Sequence, residues 1–215
     1  MKQKGSTNNF SVALGLFDFI NPIFYGITSI TILMNLKNVI NHNTYMVYLL
    51  GAIISMIFGL TIPTVKFLVG LGKMPFKMPV NLVFYFNTGI FISGLMLAQG
   101  LLNVNRTLLI IVVSVLVLLV GFIVYKTKKL NTGAVLIGTI GYLLIYNSLI
   151  SLAIRNGMII SIVLYALAIC LFIMLCLIGI KSDLNNSRVH WAIEISNVLC
   201  QGFVALSTVL LFKVF

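Results

Sequence analysis

The sequence predicts an all-α polytopic membrane protein: a bundle of about seven transmembrane helices, amino end in and carboxyl end out, making one transmembrane domain over residues 1–215 with short loops and no soluble domain. Two observations carry this expectation. The chain is 60% hydrophobic and 8% charged, with a mean hydropathy of +1.15, which is more apolar surface than a soluble domain of this size can bury in one core. Its apolar residues also fall into runs of about 20 separated by short polar breaks, the length a helix needs to cross a hydrocarbon core about 30 Å thick. The period-2 alternation of membrane β-strands is absent.

The runs place helices at 11–36, 44–65, 80–102, 108–125, 134–154, 158–180 and 189–211. The first carries Asp18, Asn21 and Tyr25, spaced three and four apart and so on one helical face, while Pro22 withholds an amide and crowds the carbonyl of Asp18. The second carries Gly51, Ser55 and Gly59 at four-residue intervals, a small-residue stripe suited to close helix packing, whether within the bundle or against a partner helix. Thr61, Pro63 and Thr64 then mark a kink at which a freed carbonyl can meet a hydroxyl. The third brings Asn87, and the fourth is nearly pure Val, Leu and Ile, which suits a peripheral helix or a linker between two halves. The fifth supplies Tyr142. The seventh has the most coherent pattern: His190, Glu194, Asn197 and Gln201 at spacings of four, three and four form one polar stripe over three turns, and lipid cannot be what it faces. Trp191 beside it suits an interfacial anchor.

Basic residues set the expected orientation. Lys2, Lys4, Lys66, Lys73, Lys77, Lys126, Lys128, Lys129, Lys181 and Arg188 fall in the amino tail and alternate loops; only Lys37, Arg106, Arg155 and Lys213 fall on the other side. By the positive-inside rule the amino end is cytoplasmic, in the cytoplasmic (plasma) membrane. Lys2 and Lys4 precede an apolar stretch of full spanning length without a small-residue cleavage site, so the first helix reads as an uncleaved anchor. The formal charge of +11 is thereby assigned to anionic lipid headgroups; scattered over short loops, it offers no nucleic-acid surface.

The residues exclude most enzyme chemistry. Two histidines, His42 and His190, are expected on opposite faces and cannot share an ion, so no metal site or haem is expected. No P-loop, dinucleotide fingerprint or G-x-S-x-G elbow is present, and no cofactor is implied. Cys170, Cys176 and Cys200 lie within spans and read as buried thiols.

What remains is the polar residues inside the membrane. Two of the three acids, Asp18 and Glu194, lie within spans, where a carboxylate needs a proton, a partner or water. The leading expectation is a small-solute transporter or permease-like protein with a polar cavity, protons being the natural coupling ion. Asp18 and Glu194 would hold the proton or cation, while Asn21, Tyr25, Asn87, Tyr142, Asn197 and Gln201 would shape the pocket. The two acids are expected close together, sharing one proton. The alternative, of a different class, is a non-transporting membrane subunit, sensor or assembly partner acting through helix contacts such as the Gly51, Ser55, Gly59 stripe.

Overall fold

The computed structural model describes residues 11–73, 80–102, 104–128, 130–181 and 187–213. Regular structure among them is entirely α-helical. Seven segments are long and apolar enough to cross a membrane: Val12–Leu36, His42–Gly70, Asn81–Leu102, Thr107–Thr127, Thr132–Arg155, Ile159–Ile178 and Val189–Phe212. The second extends well past position 65, where the sequence reading ended it. Lys66, assigned above to a loop, is therefore inside a helix and 3% exposed.

The first two spans are interrupted. Span one consists of α1 (Val12–Asp18) and α2 (Ile20–Leu36), parted at Phe19; span two of α3 (His42–Gly59) and α4 (Thr61–Gly70), parted at Leu60. The cause is the same in both. Pro22 and Pro63 are each the third residue of the second half-helix, where a missing amide costs little, yet each ring crowds the carbonyl four residues earlier. Beside the second break the Thr61 hydroxyl bonds the Phe58 carbonyl, and Thr64 Oγ1 donates to the Leu60 carbonyl at 2.7 Å. These hydroxyls serve the backbone of the kink.

The short half-helices α1 and α4 lie against each other at one end of the bundle. Glycine makes the approach possible. A Cβ on Gly15 would stand 2.5 Å from the backbone of Phe67, and one on Gly70 would stand 2.6 Å from the Val12 nitrogen. Larger residues at these positions would force the two segments apart.

Six spans close into a ring. α2 packs on α3, α3 on α5 (Val80–Leu102), α5 on α7 (Leu130–Arg155), α7 on α8 (Ile159–Lys181), α8 on α9 (Ser187–Phe212), and α9 returns to α2. The Gly51 and Ser55 stripe of α3 meets Gly89 and Ser93 of α5 within the same chain, and Ser55 Oγ donates to the Phe86 carbonyl at 3.3 Å. Gly59 faces the Phe86 ring. The fourth span, α6 (Arg106–Thr127), stands outside the ring, mainly against α7, with Leu118, Phe122 and most of its other side chains exposed. Its lack of polar groups reflects that position.

α8 and α9 are joined by paired hydroxyls. Ser161 Oγ donates to the Ser207 carbonyl at 3.2 Å, Ser207 Oγ returns a bond to the Ser161 carbonyl at 2.9 Å, and Tyr165 and Thr208 share a hydrogen bond of 2.8 Å. All four side chains are buried. Such bonds hold helices together where the hydrophobic effect does not discriminate between a neighbour and lipid.

Candidate functional site

The break at Phe19 leaves Asp18 as the last residue of α1 and just ahead of the α2 amino terminus, whose partial positive charge favours a carboxylate. Beyond the break at Leu60, Lys66 of α4 is buried within the bundle. Glu194 projects from the second turn of α9 toward the same place. Lys66 Nζ lies 2.8 Å from Asp18 Oδ2 and donates to Glu194 Oε1. Asn21 completes the cluster: Nδ2 donates to Asp18 Oδ1 and to Glu194 Oε2, each at 3.0 Å.

All four side chains are buried, with Asp18 at 5%, Glu194 at 4% and Asn21 at 8% exposed. Burial of charge is costly, and here the cost is offset by direct opposite charge and by hydrogen bonds to the remaining carboxylate oxygens. The two acids do meet. The Lys66 ammonium, which the sequence placed in a loop, lies against both of them.

A cavity of about 270 Å³ opens beside the cluster, lined from the first, second, third, fifth and seventh spans. Asp18, Asn21, Tyr25, Tyr142, Glu194, Asn197 and Gln201 all contribute to its wall. Asn87 does not: its carboxamide lies against Gly138 where α5 crosses α7. Tyr142 packs on Tyr146 and Phe172, with ring centroids 5.8 and 5.3 Å away, which fixes its ring in the wall. A second void of about 10 Å³, room for about one water, shares Tyr25, Tyr142 and Gln201 with the cavity and is otherwise bounded by residues such as Ser29, Tyr48 and Tyr146.

The sequence reading missed several contributors. Lys66 is the chief one, and the signal was present: Ser55, Gly59, Ile62, Pro63 and Lys66 continue the small-residue stripe along one helical face, and all five line the cavity. His190, read as one member of a polar stripe near the headgroups, is buried and lines the cavity as well. Trp191 is not part of the cavity lining and packs against Phe17 of α1, with ring centroids 5.7 Å apart and the planes tilted by 46°.

Among the described residues no group of three His, Cys, Asp or Glu side chains is placed to hold a metal ion. What the cluster does bring together is two carboxylates and one ammonium beside a cavity. The chain matches no protein-family model, no curated protein and no solved structure. The seven candidate spans fit a multi-pass membrane protein.

Proposed function

We propose that this chain is a proton-linked carrier of a small solute, with its amino end on the cytoplasmic side of the plasma membrane and its carboxyl end outside. The observation that carries the reading is the adjacency of the Asp18, Lys66, Glu194 cluster to the 270 Å³ cavity. A purely structural ion pair gains nothing from a neighbouring cavity, whereas a carrier needs solute and coupling charge side by side.

The interrupted helices supply a moving part. α1 and α4 are bound together through Gly15, Gly70 and the Asp18–Lys66 pair, and each joins the rest of its span through a one-residue break. Across from them, Lys66 and Asn21 hold Glu194 of α9. A proton arriving on Glu194 weakens that hold by removing its charge, which frees the α1–α4 unit to shift. The narrow layer around Tyr25, Tyr48, Tyr142 and Tyr146 then serves as the closed side of the cavity. Discontinuous helices beside a midplane site are a recurring device of alternating access.

The test is transport by the purified protein in liposomes loaded with a pH-sensitive dye. Panels of amino acids, sugars, amines and carboxylic acids are added outside in turn. One class is expected to drive proton movement, lost in Asp18→Asn and Glu194→Gln. Solute uptake that moves no protons would overturn the coupling, and silence from every class would overturn the carrier reading in favour of the membrane-subunit alternative.

A further inference from the structure

We infer that the cavity is a binding site for a small protonated amine. The inference rests on the carrier reading and narrows its substrate class. Three independent features of the wall point to this chemistry.

The first is charge. Two carboxylates, Asp18 and Glu194, meet one ammonium, Lys66, so the fully ionised cluster retains one negative charge. His190 of α9 lines the same cavity and is the other basic side chain facing it among the described residues. An anion placed here would add to the excess charge, and Lys66 is already engaged by both acids. A cation would balance it.

The second is hydrogen-bonding capacity. Asn21 spends its amide hydrogens on the two carboxylates, and its Oδ1 is a buried acceptor with no donor among the described residues. Reversing the carboxamide would set that oxygen against two carboxylate oxygens, so the orientation is dictated by the cluster. Asn21 lines the cavity, so a carbonyl oxygen without a donor among the described residues lies within the wall beside the two carboxylates. An alkylammonium group, with up to three N–H donors and a positive charge, supplies what such a wall lacks.

The third is the remainder of the lining. Tyr25, Phe86 and Tyr142 contribute aromatic rings, and Pro22, Ile62 and Ile193 contribute apolar surface. Rings attract a cation through their faces and also accommodate its hydrocarbon part. The volume, about 270 Å³, leaves room for a small organic molecule, which suits an amine with a short apolar chain.

The single tryptophan provides a native reporter, because Trp191 adjoins His190 and packs against Phe17, which adjoins Asp18. Its fluorescence is to be followed in nanodiscs of uncharged phosphatidylcholine during titration with n-butylammonium, pentanamide and pentanoate, three probes of similar size and different charge. A saturable change is expected with n-butylammonium, at an affinity about tenfold or more above that for pentanamide, and none with pentanoate. Glu194→Gln should weaken the amine about tenfold, and Phe86→Leu, which leaves the charges in place, by a few-fold; if neither variant folds, the selectivity of the unaltered protein decides. Equal or tighter binding of the amide or the carboxylate overturns the amine site while leaving a carrier of another solute. Solute-driven proton movement without any amine response does the same. Amine binding in a protein that transports nothing supports the site and overturns the carrier.

Discussion

Lys66 of α4 and Glu194 of α9 are 128 positions apart in the chain and share a hydrogen bond inside the bundle. That bond, with the Asn21 bridge between Asp18 and Glu194, ties the interrupted first and second spans to the seventh. Each partner is tolerable because the others are present. The cluster is thus a condition on folding as well as a candidate site.

Removing two members should therefore cost less than the sum of removing each alone. Lys66→Met leaves two buried carboxylates without their counter-ion, and a loss of about 3–5 kcal/mol is expected from thermal unfolding in detergent. Adding Glu194→Gln removes one of the stranded charges. The double variant should be more stable than the sum of the single effects by about 1–3 kcal/mol. Simple additivity would mean that the lysine and the glutamate do not interact.

Close packing of α1 on α4 makes a second, separate demand. Gly15→Ala sets a methyl group against the Phe67 backbone, which cannot yield as a side-chain end would, so a loss of about 1–3 kcal/mol is expected. Gly121→Ala is the control. On the outer helix α6 a Cβ there meets nothing within 4 Å, and the change should be neutral or stabilising by up to about 1 kcal/mol. Equal effects at the two positions would contradict the described approach of α1 and α4.

Hydropathy made the seven spans legible, since a helix in lipid must be both long and apolar, and the featureless fourth span already suggested its place outside the ring. Asp18 and Glu194 stood out because the chain has only three acids. Lys66 did not. It is one of fourteen basic residues, it follows Pro63, and hydropathy falls just where it occurs, so it resembled the first cation of a loop. The helix continues through that point because Pro63 is placed in the first turn of α4, where proline is compatible with helix. Asn87 failed for the opposite reason. Its residue type suited a pocket, but the close crossing of α5 and α7 at Gly94, Gly138 and Gly141 decides which way that face turns.

The paired serines of α8 and α9 predict a modest and cooperative effect. Ser161→Ala and Ser207→Ala each remove one hydroxyl donor, and each is expected to destabilise by about 0.6 kcal/mol, the scale of interhelical hydrogen bonds in lipid. Thermal unfolding of both single variants and the double checks this. An unchanged double variant would show that these bonds contribute nothing beyond packing.

Orientation is the last expectation, and the fold sharpens how it is to be tested. With Lys66 inside the bundle, the second loop retains Lys73 and also Lys77, which lies outside the described residues; the alternation of basic loops is weakened there but keeps its sign. Lys37 and Lys126 are exposed and sit at opposite ends of the bundle if all seven spans cross, because the second and third spans and nearly all of the fourth lie between them. In a protein whose native cysteines are replaced by alanine, Lys37→Cys should react with a membrane-impermeant maleimide added outside intact cells. Lys126→Cys should react only after the membrane is opened. The reverse pattern would place the amino end outside and put the Asp18, Lys66, Glu194 cluster in the outer half of the membrane. Labelling of both from one side would remove at least one of the three intervening crossings, and with it the ring in which α9 returns to α2.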